Sequence, residues 1–314
     1  MRTFVVTGGA GFIGSHIAEG LIQRGDRVRV IDNLSTGFAE HVTRLGENAE
    51  LIAADINDAD AVTKALDGVD CIFHQAALAS VPRSVETPLD TNAACVTGTV
   101  NLLNCARQAG VRRVVYAASS SAYGDQPTSS KRESDLPLPL SPYAAAKLAA
   151  EYYCQAFYHT YGLETVAIRY FNVFGPRQDP GSPYSAVIPL FITAMLAGEQ
   201  PVVYGDGGQS RDFTYVENVV QGNLLAADAE GVAGKVLNVA GGRSVTLLRL
   251  LAALNDSLGT DIQPRFEPPR VGDVRESLAD ISQARALLGY EPTVDFEEGL
   301  QRSIEYYKSI LTKA

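Results

Sequence analysis

The feature that most restricts how this chain can fold lies within its first 32 residues. Residues 4–7 form a short apolar run, Gly8-Gly9-Ala10-Gly11-Phe12-Ile13-Gly14 follows at once, and residues 15–24 then read as a helix. Strand, glycine turn and helix in that order make the first half of a βαβ unit. Gly8, Gly11 and Gly14 let the backbone turn tightly, approach a pyrophosphate and pack helix against strand, with the phosphate charge at the helix N-terminus. A second strand, residues 27–31, ends at Asp32, about 20 residues after the turn, where a carboxylate accepts from both hydroxyls of an adenosine ribose. That carboxylate repels a 2′-phosphate, and Asn33-Leu34 brings no arginine to welcome one, so the pattern predicts NAD rather than NADP.

Further strand and helix pairs follow, with no internal repeat in the sequence. Apolar strands at residues 50–54, 70–74 and 113–118 lead into Asp55, Gln75-Ala76-Ala77 and Ser119, and helices are expected at 59–66, 92–109 and 143–161. Strands ending in small or polar residues are the pattern of a doubly wound sheet that binds ligand at its carboxyl edge. After Phe171 the chain turns rich in proline and glycine (175–183, 205–208), with shorter helices such as 186–197. The expected fold is therefore α/β, a Rossmann-like doubly wound parallel sheet over 1–171 with a smaller α/β substrate-binding lobe over 172–314. Gly205-Asp206-Gly207-Gly208 has no following Lys-Ser and is not a P-loop.

The chemistry centres on Ser141-Pro142-Tyr143-Ala144-Ala145-Ala146-Lys147. Proline disfavours helix before itself and the alanines favour it afterwards, so Tyr143 and Lys147 fall one turn apart on one helix face. An ammonium beside a phenol favours the phenolate and lowers its pKa from about 10 toward the working pH, which makes the tyrosine a base. Alone, such a pair is equally a helix start and a solvated lysine; the glycine turn gives it a context. The strand ending at Ala118 leads into Ser119-Ser120-Ser121, where a serine hydroxyl can bond a reacting oxygen.

A net charge of −10 and a pI near 4.9 argue against nucleic-acid or anionic-lipid partners and leave any phosphate to a few local arginines. Cys71, Cys95, Cys105 and Cys154 show no C-x-x-C spacing and no metal-ligand pattern with the four histidines, so reduced buried thiols and no metal are expected. Without a long apolar stretch or a leader pattern, the expectation is a cytoplasmic protein.

Gly8-x-x-Gly11-x-x-Gly14, Asp32, Ser119 and Tyr143-x-x-x-Lys147, in that order and spacing, resemble the extended short-chain dehydrogenase/reductase superfamily across essentially the whole chain. Arg169 to Arg177, Gly205-Asp206-Gly207 through Ser210-Arg211-Asp212-Phe213, and Arg270-x-Gly272-Asp273 resemble the nucleotide-sugar 4-epimerases that act on UDP-glucose or UDP-N-acetylglucosamine. The resemblance implies bound NAD, held by Gly8, Gly11, Phe12, Ile13, Gly14, Asp32, Asn33, Asp55, Ile56, Gln75, Ala76, Ala77, Asn92, Tyr143, Lys147 and Tyr170. It implies catalysis by Ser119, Tyr143 and Lys147, and a UDP-sugar met by Ser119, Ser120, Ser121, Tyr143, Asn172, Val187, Tyr204, Arg211, Arg270, Asp273 and Ser277. It also implies a return of the chain to the first domain near 213–240, and a homodimer formed through helices 92–109 and 143–161.

Departures from related patterns narrow the reaction. Dehydratases resemble this chain but carry an acidic pair where Ser120 and Ser121 stand, and decarboxylases have a carboxylate in the same cluster. UDP-glucuronate epimerases have an arginine where Asp179 follows Pro176-Arg177-Gln178. Ser277 occupies a position where a tyrosine excludes an N-acetyl group, so the pattern implies a pocket open to UDP-N-acetylglucosamine as well as UDP-glucose. A non-catalytic NAD sensor is the competing reading from another class, disfavoured because serine, tyrosine and lysine are all kept.

Overall fold

The structure, a computed structural model, describes residues 1–126, 128, 130–181, 185–269 and 274–311. Seven parallel strands form the central sheet: β1 (Thr3–Thr7), β2 (Arg27–Asp32), β3 (Ala49–Ala53), β4 (Cys71–His74), β5 (Arg113–Ser119), β6 (Glu164–Tyr170) and, after four short strands, β11 (Lys235–Val239). Their spatial order is β11-β6-β5-β4-β1-β2-β3, so the winding direction reverses between β1 and β4. At such a reversal the helices leave in opposite directions and a crevice opens at the carboxyl ends of the strands.

Strand alternation accounts for the two faces of the sheet. Phe4, Val6, Val28, Val30 and Phe73 pack on one side with the Phe12–Gln23 and Val216–Asp228 helices. Val5, Ile31, Ile72, Val114 and Tyr116 pack on the other with Leu102, Leu103, Cys154 and Phe157. Arg169 on β6 and Glu151 on the Pro142–Tyr161 helix are both almost fully buried and joined by two bonds of 2.9 and 2.7 Å, which fix that helix to the sheet.

The smaller part is built from β7 (Val173–Phe174), β8 (Val202–Tyr204), β9 (Ser210–Asp212), β10 (Thr214–Tyr215), β12 (Ser244–Thr246), β13 (Arg265–Glu267) and β14 (Glu276–Ser277). They pair as β10-β7, β13-β8 and β12-β9-β14. A third apolar cluster fills this part, with Phe174, Phe191, Phe213, Leu250, Phe296 and Tyr307 among its members.

One expected element differs. Residues 92–109 do not form a single α-helix: the chain runs as Pro88–Asn92, a π-helical turn over Ala93–Thr97, and Gly98–Gln108. Just after the π turn Gly98 packs against Ile56, whose side chain a Cβ there would approach to 2.5 Å.

Candidate active site

A cleft of about 710 Å³ lies over the β1/β4 switch point. Its floor is the glycine turn. Gly8 has φ +66°, and a Cβ there would stand 2.7 Å from the Ala76 nitrogen; a Cβ on Gly14 would stand 2.3 Å from the Gly8 carbonyl oxygen. The Phe12–Gln23 helix begins behind Gly11 with no side-chain cap and no acidic residue in its first turn, so its first N–H groups and positive dipole end are available to an anion. At one end of the cleft Asp32 accepts from the Ala10 and Leu34 amides at 3.0 and 2.8 Å, which aims the carboxylate. Asn33 donates to Asp55 at 2.8 Å, and hydrogen bonds from the Asn57 amide and side chain hold the Asp55 carboxyl below its usual range.

Buried polar groups set the middle of the cleft. Thr99 gives its proton to the Cys95 carbonyl (2.6 Å), so it accepts from His74 Nε2 (2.9 Å), and His74 Nδ1 accepts from Thr7 Oγ1 (2.7 Å). Thr7 in turn accepts from the Ala76 amide at 3.2 Å, so the chain of bonds reaches the cleft wall. Burial, aided by the Lys147 ammonium, pushes the His74 imidazole down to about 3, and it is neutral. Gln75 donates to the Tyr170 hydroxyl at 3.0 Å, and Tyr170 donates to Asn223 at 2.9 Å, which reaches in from the Val216–Asp228 helix.

The far end carries the reacting groups. Ser119 closes β5 and caps the Ser120–Tyr123 turn, with its hydroxyl 2.8 Å from that of Ser121. The Pro142–Tyr161 helix starts as the residues dictate, with Ser141 accepting from the Ala144 amide and proline at the first position. This brings the Tyr143 phenol beside the Ser119 hydroxyl, whose polarity favours the ionised phenol. One turn on, Lys147 is buried with Nζ 4.6 Å from the centre of the Tyr116 ring. The sequence predicts that this ammonium lowers the Tyr143 pKa; in the structure the phenol is displaced upward by burial and by the nearby Cys95 thiol, opposed by the Ser119 hydroxyl. The ammonium lies instead on the ring of Tyr116, whose hydroxyl bonds the Lys147 carbonyl at 3.3 Å.

The residues read as cofactor ligands line this cleft, except Asn92, which is exposed at the end of its short helix. Of those read as sugar-nucleotide ligands, Tyr143 lines the cleft and Ser119 to Ser121 follow β5. Asn172 has φ +30° before β7, Val187 begins the Val187–Leu196 helix and Tyr204 ends β8. Arg211 on β9 stands opposite Ser277 on β14, and both are largely buried. Arg270 and Asp273 lie outside the described residues.

Arg177 was given no role by sequence reasoning, yet it lines the cleft beside the glycine turn. It is buried, has φ +69°, donates to Ser15 (3.2 Å) and His16 Nδ1 (2.6 Å), and pairs with Glu19. An arginine in a Gly-Pro loop of an acidic chain was the available signal. Among the described residues no group of His, Cys, Asp or Glu is placed to hold a metal ion, and no helix is long and apolar enough to cross a membrane.

A doubly wound sheet with a glycine-floored cleft and a Ser–Tyr pair at its end defines a dinucleotide-dependent protein of the short-chain dehydrogenase/reductase class. More narrowly, residues 4–240 match the NAD dependent epimerase/dehydratase family, and the chain belongs to it. It is 40% identical to the UDP-glucose 4-epimerase of Mycolicibacterium smegmatis, over 98% of this chain and 99% of that one. The UDP-N-acetylglucosamine 4-epimerase of Methanobrevibacter ruminantium, solved with UDP-N-acetylmuramic acid, superposes with a TM-score of 0.94 at 45% identity, over 98% of this chain and 99% of the other. The UDP-glucose 4-epimerase of Thermotoga maritima, solved with UDP-glucose, gives a TM-score of 0.94 at 38% identity, over 99% and 100%.

The cofactor fits the residues present. Gly8, Gly11 and Gly14 line the cleft at the uncapped N-terminus of the Phe12–Gln23 helix, where a pyrophosphate can be held, and the Asp32 carboxylate stands at the end of β2 for a ribose without a 2′-phosphate.

Proposed function

We propose that this enzyme reversibly inverts C4 of UDP-hexoses, UDP-glucose and UDP-N-acetylglucosamine in particular, through a 4-keto sugar. The observation that carries this reading is the placement of Tyr143 beside Ser119, followed by Ser120 and Ser121 rather than an acid. Eliminating water from C5 and C6 requires an acid and a base there, and neither residue supplies one.

In this reading Tyr143 takes the proton of the sugar 4-hydroxyl and later returns it to the keto oxygen, while Ser119, its hydroxyl 2.8 Å from that of Ser121, hydrogen-bonds the same atom. NAD, held by the glycine turn and Asp32, would supply a reversible hydride acceptor for C4. With its pKa raised, the phenol is protonated at neutral pH and suited to giving a proton back to the keto oxygen. Acting as a base, it needs cationic charge nearby, and Lys147, one turn along the same helix and lining the same cleft, supplies this. Arg211 and Arg270 hold the diphosphate with Asn172, so that the keto sugar can turn over while its nucleotide stays fixed.

A homodimer belongs to the same reading. Val85, Leu89, Tyr152 and Tyr153 are exposed on helices that pack on one another, and a second copy would cover them. A monomeric mass in sedimentation at micromolar concentration would refute it.

The test is incubation of the purified protein with UDP-glucose, UDP-N-acetylglucosamine or UDP-glucuronate and catalytic NAD, with products followed by proton NMR. C4 epimers of the neutral sugars are expected. A product lacking water or carbon dioxide would mean a dehydratase or decarboxylase, and tight NAD binding without turnover a sensor.

A further inference from the structure

The Asp212 side chain is fully buried at the end of β9, immediately after Arg211, and no ion pair accompanies it among the described residues. Its carboxylate is satisfied by backbone alone. Oδ1 accepts from the Gly241 amide at 3.0 Å, and Oδ2 from the Gly242 and Ala279 amides at 3.1 and 3.2 Å. These donors come from both neighbours of β9. Gly241 and Gly242 form the turn that enters β12, and Ala279 lies two residues past Ser277 at the end of β14.

The approach is close on the glycine side, where a Cβ on Gly241 would stand 3.2 Å from Asp212 Oδ1 and 3.1 Å from the Phe213 carbonyl oxygen. Beyond Ala279 the bonds continue toward the reacting groups. Lys131 forms a bridge with Ala279, and Asn238 donates to the carbonyls of Lys131 (3.0 Å) and Asp280 (3.1 Å). Asn238 accepts in turn from the hydroxyl of Tyr123 at 2.7 Å, and Tyr123 ends the turn that Ser119 caps.

β14 is only two residues long and cannot hold its register by its own ladder. The geometry points to Asp212 as a positioning residue for the sugar-nucleotide end of the site: its carboxylate clamps the segments on either side of β9, so that Arg211 and Ser277 face the substrate together, at a set distance from the Ser119 turn. This rests on the reading that Arg211 and Ser277 meet a nucleotide sugar. The residue touches no reacting atom, so its loss is expected in binding of the nucleotide half and not in the chemical step.

Asp212→Asn keeps the shape but turns an amide donor toward backbone N–H groups. Binding of UDP by calorimetry and KM for the UDP-hexose should each weaken by about ten-fold or more, the scale of one buried backbone N–H left without its acceptor. The kcat and the NAD affinity should stay within about three-fold, well under that loss. Should the Asn protein fail to fold, Gly241→Ala displaces the same turn with the carboxylate left in place, and the same selective rise in KM is expected. Equal UDP affinity and KM in wild type and variant would overturn the proposal, as would losses in kcat and NAD affinity that match the loss in KM. A wild-type protein that neither binds UDP nor converts a UDP-hexose would instead overturn the reading of the site on which it rests.

Discussion

Acidification from pH 7 to pH 5 should destabilise this enzyme in a way that one substitution, His74→Gln, partly removes. The neutral His74 imidazole is completely buried between Thr7 and Thr99, and burial together with Lys147 brings it down to about 3. In the unfolded chain a histidine titrates near 6.5. Between those values the unfolded state holds a proton that the folded state does not, so stability rises with pH by about 1.4 kcal/mol per unit for this group. Its contribution is complete above about pH 6.5 and is lost as pH falls toward 3; at pH 5 about 2 kcal/mol should be gone. His16, also brought to about 3, acts in the same direction, and Asp212, raised to about 7, acts oppositely. Both are present in wild type and variant, so they cancel in the comparison. At pH 7 the glutamine protein should be the less stable by about 1 kcal/mol, for one lost hydrogen bond, and by pH 5 it should have gained about 2 kcal/mol on wild type. The assay is urea unfolding at pH 7, 6 and 5, followed by far-ultraviolet circular dichroism because the chain has no tryptophan. A stability gap that does not change with pH would refute the assignment of a neutral, buried His74.

Tyr143→Phe should reduce kcat by about 10²- to 10⁴-fold while leaving NAD affinity nearly unchanged, by the usual scale of a lost acid–base group; steady-state rates and cofactor titration check this. Glu151→Gln leaves Arg169 buried without its partner and should cost about 3–5 kcal/mol in denaturant unfolding; a cost under about 1 kcal/mol would deny the pair its structural role. Ser277→Tyr should abolish conversion of UDP-N-acetylglucosamine and retain that of UDP-glucose, read by NMR of the two reactions; equal loss of both would sink the assignment.

The first βαβ unit was legible because its signals are local. Apolar strands, a glycine turn and a carboxylate some 20 residues on are contiguous in sequence, and helix geometry alone put Tyr143 and Lys147 one turn apart. Three features were not legible, each for a tertiary reason. The π turn at Ala93–Thr97 is not encoded in residue order, and the close approach of Gly98 to Ile56 beside it joins segments 42 residues apart. Lys147 sits on Tyr116 because β5 passes beneath the helix, so spacing along one helix could not foretell the sign of the Tyr143 shift. The pairing of Arg211 with Ser277 joins strands 66 residues apart, through a register held by distant backbone donors.

These long-range pieces bear on why the chain returns to the first sheet after leaving it. Asn223 is needed to hold Gln75 and Tyr170 in the cofactor cleft, Arg177 to tie the 175–179 loop to the helix behind the glycine turn, and Asn238 to hold the Ser119 turn. Had the smaller part been appended as a separate bead, those three contacts would depend on an interface free to hinge. With β11 hydrogen-bonded to β6 over five residues, the second half of the chain is a strand of the first half's sheet. The distance between Arg211 and the Ser119–Tyr143 pair is then set by strand registers and buried side-chain bonds, not by a linker. The 4-epimerase reading proposed above, in which a diphosphate stays still while the sugar turns over, calls for a fixed distance of that kind.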